Sequence, residues 1–215
     1  MPPLVTVERP ATGDPDGLLV LHHGRGTDES DLLGLADVLD PAGRLRVVSA
    51  RGPLQVAGWP GYHWYVVPRI GYPERASFEA AREALAELHD GLWEETGLGP
   101  EQTVLGGFSM GAVMSHAMAW SAERPAVAGV LAFSGFIPTV SGWRPSLEDR
   151  TATRALIAHG ERDPVIEVGL GRAARDLLVA GGIDVTYRES AVVHTIDPAV
   201  LPVAADWLAA TIPSR

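Results

Sequence analysis

The sequence predicts an α/β protein with a doubly wound, mostly parallel sheet. Short apolar runs typical of buried strands alternate along the whole chain with segments whose apolar residues recur at helical spacing. The length of 215 residues fits one domain, and the composition, 46% apolar and 20% charged, is that of an ordinary globular protein. Since no repeat or low-complexity linker divides the chain, we expect a single domain over residues 1–215.

The first half of the chain contains three predicted elements before a long irregular segment. Residues 18–22 form a continuous apolar run, typical of a strand buried on both faces, and residues 46–50 form another. Between them, residues 31–39 carry apolar side chains at helical spacing, and Pro41 ends this helix. Residues 51–75 then lose all periodicity but are rich in aromatic residues, proline and glycine. Because long loops are usually functional or disordered, and aromatic residues disfavour disorder, we expect this segment to line a site.

The longest predicted helix covers residues 76–96. Its apolar stripe, from Phe78 to Leu92, lies opposite a charged side, and Gly97 provides the C-terminal stop. The rest of the chain alternates short apolar runs with amphipathic repeats, apart from an irregular stretch at 136–150. Strands are predicted at residues 102–108, 127–134, 155–159 and 184–188, and helices at residues 111–121, 169–180 and 198–210. This alternation favours parallel strands joined by helical crossovers.

The composition excludes several chemistries. The chain has no cysteine and no lysine, which rules out thiol nucleophiles, iron–sulfur clusters, Schiff-base enzymes and pyridoxal-phosphate anchors. A covalent nucleophile must then be a hydroxyl, carboxylate or imidazole group. The net charge of −10 argues against nucleic acid and anionic lipid as partners. The N-terminus lacks a signal-peptide pattern, and no apolar run reaches the roughly 20 residues of a membrane span, so we predict a cytoplasmic protein.

A G-x-S-x-G pentapeptide at residues 107–111 supplies the candidate nucleophile, Ser109. It lies where a predicted strand meets a predicted helix, and so tight a turn forces the serine to a positive φ. Side chains two residues before and after the serine would collide with the helix and the neighbouring strand, which explains glycine at both positions. The alternative is a glycine-rich helix start with Ser109 as its N-cap.

A serine nucleophile needs a base and an acid that orients the base, and in this topology they follow it in the order acid, then histidine. Asp163 follows the predicted strand 155–159 at the carboxyl edge of the sheet, with Glu161 as a nearby competitor. Asp184 begins a strand at the opposite edge, and Asp149 precedes the strand. His194 is the one histidine after Asp163 and follows the last strand, which favours the base role over that of an exposed loop histidine.

Two main-chain N–H groups are predicted to bind the oxyanion of acyl transfer. One belongs to Met110, directly after the nucleophile at a helix N-terminus, and the other to Arg25 in a glycine-rich loop after the first strand. The side chain of Arg25 suits an anionic substrate group or plain solvent equally well. The adjacent His22 and His23 indicate a metal only weakly, because neighbouring strand residues point to opposite faces, and we predict no metal.

Four segments together resemble the α/β-hydrolase superfamily: LHHGRG at 21–26, GFSMG at 107–111, HGERDPVI at 159–166 and VVHTID at 192–197. Within it, the chain resembles the bacterial phospholipase/carboxylesterase family, which is similar to acyl-protein thioesterases. The resemblance implies an α/β-hydrolase fold without a large cap domain. It also implies a cofactor-free esterase with a Ser/Asp/His triad that acts on small esters, thioesters or lysophospholipids.

Two positions depart from that family's pattern. Members commonly carry glycine before the catalytic histidine, where this chain has Val193, and many carry glutamine after the nucleophile, where it has Met110. Val193 raises the question of how the His194 loop bends. The related dienelactone hydrolases use a cysteine nucleophile, which this chain lacks.

The predicted function is hydrolysis of small or medium acyl or aryl esters through an acyl-enzyme on Ser109, with Asp163 and His194 completing the triad. An acyl-thioesterase or a lysophospholipase is the alternative, and a non-catalytic binding protein of the same fold is the rival from another class. The aromatic residues of the irregular segments are the candidates for the substrate pocket, although the 59–72 loop would equally serve a homodimer. These candidates are Trp59, Tyr62, Trp64, Tyr65 and Phe136.

Overall fold

A computed structural model describes residues 2–214 as one seven-stranded sheet with helices on both faces. The strands are β1 (Thr6–Arg9), β2 (Gly17–His22), β3 (Leu45–Ala50), β4 (Thr103–Phe108), β5 (Gly129–Phe133), β6 (Arg154–Gly160) and β7 (Asp184–Ser190). The helices are α1 (Ala36–Leu39), α2 (Arg75–Thr96), α3 (Met110–Ala119), α4 (Val168–Ala180) and α5 (Leu201–Thr211). Every predicted strand and helix has a counterpart with ends shifted by a few residues, except the helix predicted at residues 31–39, of which only one turn is α-helical.

The strand order is β1-β3-β2-β4-β5-β6-β7, and all pairs from β3 to β7 are parallel. This arrangement confirms the predicted doubly wound, mostly parallel sheet. The exception is β1, which pairs with β3 in antiparallel orientation and was not predicted. It is a short edge strand with two charged residues and a half-buried face, so it lacks the continuous apolar run of the buried strands.

Two predicted α-helices are partly 3₁₀ helices. The segment predicted as a helix at residues 31–39 forms a 3₁₀ turn at Leu33–Leu35 and a single α turn, α1. Gly34 lies inside this segment and lowers its helix propensity. The last helix is likewise preceded by a 3₁₀ turn, Pro198–Val200, in which the Ala199 N–H donates to the Asp197 side chain at 2.9 Å. In both places the amphipathic pattern predicts the buried face but not the type of turn.

The core consists of two apolar layers, one on each face of the sheet. Alternate residues of β2 separate into these layers: Leu18 and Val20 join α2, α3 and α4, whereas Leu19 and Leu21 join α1 and α5. Helix α3 is buried along its whole length, as a helix at the centre of the sheet must be. No helix of residues 2–214 is both long enough and apolar enough to cross a bilayer.

Buried histidines, among them His22, His89 and His116, make a pH-dependent contribution to stability. Burial lowers the pKa of His22 well below its ordinary value, and burial together with the Arg124 charge lowers that of His89 to about 3. Burial lowers the pKa of His116 to about 4. The unfolded chain therefore binds more protons than the folded one below pH ~6.5, and the free energy of unfolding falls as the pH falls through this range.

We expect the urea midpoint of unfolding to decrease from pH 7 to pH 5, and a His116→Gln variant to show a shallower decrease. Each such histidine contributes a slope of at most about 1.4 kcal/mol per pH unit between its unfolded and folded pKa values. Urea unfolding at half-unit pH steps measures both slopes. Equal slopes for the variant and the original protein would contradict this account of His116.

Candidate active site

The nucleophile turn joins the end of β4 to the start of α3. Ser109 has φ 54° and ψ −118°, and its side chain makes no capping hydrogen bond to the helix, which confirms the positive φ and argues against an N-cap role. Its main-chain N–H donates to the Phe133 carbonyl at 2.8 Å, which ties the strained residue to β5. A Cβ at Gly107 would lie 2.5 Å from the carbonyl carbon of Gly111, and a Cβ at Gly111 would overlap the His22 carbonyl. The turn therefore requires both glycines and leaves the Ser109 hydroxyl free to face outward.

The three predicted triad residues meet in one hydrogen-bonded chain. His194 Nε2 lies 2.9 Å from Ser109 Oγ, and His194 Nδ1 lies 2.6 Å from Asp163 Oδ2. Each residue follows the carboxyl end of its own strand, β4, β6 or β7, so the parallel sheet brings together positions far apart in sequence. Ser109 and Asp163 are buried, and His194 is half-buried. With Nδ1–H donating to the carboxylate, Nε2 can accept the serine proton.

Asp163 is held as a carboxylate by the turn that follows it. Its Oδ1 accepts hydrogen bonds from the main-chain N–H groups of Val165 at 2.8 Å and Ile166 at 2.9 Å. Burial alone would raise the pKa of Asp163, but the hydrogen bonds from His194, Ile166 and Val165 outweigh it and lower the pKa below the ordinary value. The acid thus keeps the negative charge that would stabilise a protonated His194.

The competing acids lie elsewhere. Asp184 begins β7 at the opposite edge of the sheet and pairs with Arg154 at 3.0 Å. Glu161 is exposed, and Asp149 is an exposed residue with φ 60° in the irregular stretch before β6. None of these three side chains hydrogen-bonds to His194 within residues 2–214. The geometry therefore brings Asp163, and not its competitors, to the histidine.

The His194 loop follows an ordinary path despite Val193. Val193 is 55% exposed and points to solvent, and it is not among the residues of positive φ in the part of the chain that the structure describes. The ring of His194 packs against Phe108, with centroids 4.9 Å apart. The glycine that this loop requires is Gly160 of β6, because a Cβ there would overlap the carbonyl of Val193. Glycine is therefore not required before this histidine.

The remaining histidines of the site region serve packing and hydrogen bonding. His22 Nδ1 lies 2.9 Å from Ser115 Oγ, and His23 Nε2 accepts the Gly52 N–H at 2.8 Å. The buried His159 Nε2 donates to the Ile166 carbonyl at 2.8 Å, on the same turn that holds Asp163. Within residues 2–214, no three histidine or acidic side chains converge in the way a metal ion requires.

Two cavities meet at Ser109. The first, of about 30 Å³, is bordered by Met110, Tyr65 and Phe136. The second, of about 480 Å³, is bordered by His194 and Trp59. Several further lining residues were not predicted as site residues, although Phe108 lies within the pentapeptide and Val165 and Ile166 lie within the 159–166 segment. They include Ile70, Tyr72, Val165 and Ile166 in the first cavity, and Thr27, Asp31, Leu35 and Phe108 in the second.

The predicted pocket residues divide into two groups. Tyr65 and Phe136 border the first cavity and Trp59 the second, but Tyr62 and Trp64 border neither, so the pocket prediction is wrong for these two. Trp64 is completely buried, and its indole N–H donates to the His23 carbonyl at 2.9 Å. The ring of Tyr62 lies under the Arg51 guanidinium, 4.4 Å from its centroid. Aromatic content alone does not tell which ring of an irregular segment turns inward.

Both predicted oxyanion donors are close to the nucleophile. Met110 is the first residue of α3, where a main-chain N–H lacks an intrahelical partner, and Arg25 borders both cavities beside Ser109. The neighbouring Gly26 N–H is already used, donating to the Tyr62 carbonyl at 2.9 Å. The Arg25 guanidinium lies 4.3 Å from the centroid of the Trp59 ring. Arg25 and Met110 thus both border the nucleophile, and their role as oxyanion donors stays a prediction.

Comparison with known protein sequences gives a family match and similar relatives. Residues 5–212 match the sequence model of the phospholipase/carboxylesterase family. The chain is similar to esterase YpfH of Escherichia coli K12, with 31% identity over 92% of this chain and 84% of the relative. It is also similar to acyl-protein thioesterase 1 homolog 1 of Dictyostelium discoideum, with 22% identity over 77% of each chain.

Solved structures give the same result. The fold is similar to that of esterase PE8, with a TM-score of 0.79 and 30% identity over 97% of this chain and 99% of the other. The carboxylesterase of Bacillus cereus superimposes with a TM-score of 0.83 at 22% identity, over 97% and 94% of the two chains, and this likeness concerns the fold alone. These similarities confirm the predicted α/β-hydrolase fold.

Proposed function

The chain belongs to the phospholipase/carboxylesterase family, and on that premise we propose that it hydrolyses carboxylic esters through an acyl-enzyme formed on Ser109. It is a carboxylesterase-type serine hydrolase. The observation that supports this reaction best is the unbroken chain of hydrogen bonds from Asp163 through His194 to Ser109. A hydroxyl, an imidazole and a carboxylate in this order are the groups that activate a serine for acyl transfer.

The proposed reaction has two symmetrical halves. Ser109 Oγ attacks the acyl carbon while His194 Nε2 takes the hydroxyl proton, and the Arg25 and Met110 N–H groups stabilise the oxyanion. The bond from the acyl carbon to the alcohol oxygen then breaks, and His194 returns the proton to that oxygen. Water repeats the sequence on the acyl-enzyme, which releases the acid and restores Ser109. Asp163 stabilises the imidazolium in both halves without taking a proton.

We also propose the substrates, the cellular location and the partners of this reaction. The substrates are small-molecule esters with a small or medium acyl or aryl group, and the triad groups and main-chain donors supply the chemistry without a cofactor. Residues 1–215 act as one domain in the cytoplasm. The net charge of −10 disfavours nucleic acid as a partner. Trp59 and Tyr72, both about half exposed, leave the 59–72 loop available for a homodimer contact.

Thioester hydrolysis is the second candidate. A thioester presents the same acyl carbon to Ser109, and several relatives are named acyl-protein thioesterases. Phenyl acetate and S-phenyl thioacetate, which share the acyl group, separate the two activities when each enzymatic rate is divided by the hydroxide-catalysed rate of the same compound. A larger ratio of enzymatic to hydroxide-catalysed rate for the ester supports the esterase proposal. A larger ratio for the thioester supports the thioesterase alternative.

A fluorophosphonate probe is expected to attach once per chain, at Ser109, because only an activated serine reacts with it quickly. Intact-protein mass spectrometry and peptide mapping measure the adduct, and Ser109→Ala should abolish it. Ser134→Ala is the matched control, since Ser134 also has a positive φ, 50°, directly after the neighbouring strand β5. Absence of an adduct would favour a non-catalytic binding protein, whereas an adduct that persists in Ser109→Ala would place the activated nucleophile at another residue and contradict the role of Ser109.

A further inference from the structure

The two cavities at Ser109 differ in the catalytic groups that border them. Ser109 and Arg25 border both, Met110 borders the first, and His194 borders the second. The histidine is thus reachable from one side of the nucleophile. A substrate whose acyl carbon lies at Ser109 Oγ must extend one of its two halves into each cavity.

The return of the proton from His194 determines which cavity holds the alcohol and which holds the acyl group. When the acyl carbon–oxygen bond breaks, the leaving oxygen takes the proton that His194 Nε2 received from Ser109, so this oxygen must lie on the histidine side. We propose, resting on the function above, that the leaving alcohol occupies the second cavity and the acyl group the first, and that the enzyme is selective for short acyl esters of bulky alcohols. The bonds formed and broken are those of the reaction already given.

The volumes of the two cavities indicate the sizes of the acyl group and of the alcohol. The first cavity has a volume of about 30 Å³, which is room for two or three water-sized groups, since a water molecule requires about 10–15 Å³. That is the space beyond the carbonyl of a propionyl or butyryl group. The second cavity, about 480 Å³, falls within the range of about 300–1,000 Å³ that accommodates drug-sized molecules. The binding energy of a good substrate must therefore come from its alcohol.

The lining of the second cavity indicates the chemistry of that alcohol. Trp59, which is 53% exposed, Phe108 and Leu35 supply apolar surface that suits a ring system. Thr27 and Asp31 supply hydrogen-bonding groups, and the Thr27 hydroxyl donates to the Asp31 carboxylate at 3.1 Å. The acceptor capacity of Asp31 suits a donor group on the ring. The alcohol is thus a cyclic or aromatic one.

A matrix of esters tests the inference, with kcat/KM as the readout. The acyl group is varied from acetyl to octanoyl on benzyl alcohol, and the alcohol is varied from ethyl through benzyl to 1-naphthylmethyl as acetates, which keeps leaving-group acidity similar. We expect kcat/KM to fall at least about tenfold between butyryl and octanoyl, and to rise at least about tenfold between ethyl and 1-naphthylmethyl.

Two variants at exposed positions separate the cavities. Ile70 borders the first cavity and is 39% exposed, so Ile70→Ala should open it and shift the acyl optimum to longer chains, with the alcohol preference kept. Trp59→Ala should remove about tenfold of the advantage of 1-naphthylmethyl acetate and leave the acyl optimum in place. Each variant is the control for the other on the axis that it is expected to leave unchanged. Because the Arg25 guanidinium packs on Trp59, the effect of Trp59→Ala is measured as a ratio of two acetates, in which a general loss of rate cancels.

The outcomes distinguish this inference from the proposed function. A protein that the fluorophosphonate labels at Ser109 but that prefers octanoyl esters, or is indifferent to the alcohol, overturns the inference and leaves the esterase in place. Exchange of the two variant effects would reverse the assignment of the cavities and overturn it as well. An unlabelled Ser109 with no ester hydrolysis overturns both.

Discussion

Alanine at position 109 is expected to lower kcat/KM for aryl esters by about 10⁴- to 10⁶-fold, because the acyl-enzyme can no longer form. The Arg25 and Met110 N–H groups and the two cavities remain, so a small rate above that of water should persist. The measurement is the initial rate of phenyl acetate hydrolysis at substrate concentrations far below KM. The hydroxyl accounts for one hydrogen bond to His194, so the free energy of unfolding should change by no more than about 1.5 kcal/mol.

Ser134→Ala serves as the control for this result as well. Ser134 is buried and follows β5 with a positive φ, but its side chain does not border either cavity at Ser109. Its alanine variant should retain esterase activity. Near-normal activity of the Ser109→Ala protein, with contamination excluded by active-site titration, would remove Ser109 from the mechanism.

Gly111→Ala is expected to destabilise the protein by more than about 4 kcal/mol or to prevent folding altogether. Gly111 lies in the first turn of α3, and a Cβ there would overlap the carbonyl oxygen of His22 and lie 2.6 Å from that of His23. Both obstacles are main-chain atoms at the end of β2, at the centre of the sheet, and cannot rotate away. Urea unfolding followed by circular dichroism measures the effect.

Gly91→Ala is the matched control for that substitution. Gly91 lies inside α2, and apart from its chain neighbours and the backbone of its own helix no atom comes within 4 Å of the position that its Cβ would occupy. Alanine there should stabilise the protein by about 0.5–1 kcal/mol, because glycine is the poorer helix former. A Gly111→Ala protein as stable as Gly91→Ala would mean that the close approach of α3 to β2 is not a structural requirement.

The sequence predicts those parts of the site that are governed by short-range geometry. Few residue types fit the turn at Ser109, so its sequence predicts its backbone conformation. The parallel order of the strands places Asp163 and His194 at the same edge of the sheet. The edge strand β1 was missed because its few half-buried residues lack an apolar run. The local sequence pattern thus predicts the turn and the strand edge, but the pattern of β1 is too short to predict a strand.

The walls of the cavities could not be predicted in the same way. Residues 51–74 have no regular period, so nothing in the spacing of Trp59, Tyr62 and Trp64 shows that the first borders the site while the third is buried beneath it. Their directions follow from long-range contacts, such as the indole hydrogen bond of Trp64 to the His23 carbonyl. Such contacts form between distant parts of the chain and leave no local periodicity.

The turn that holds Asp163 has a consequence for how this enzyme can change over evolution. Val165 borders both cavities and Ile166 borders the first, while their main-chain N–H groups fix the Asp163 carboxylate. Replacements at Val165 or Ile166 that shift the backbone of this turn would also disturb the acid, whereas replacements at Ile70 or Trp59 lie outside the turn. Lineages that diverge in substrate range should therefore accumulate their replacements in the loop of residues 51–74 and spare the turn, and directed-evolution libraries are best confined to that loop.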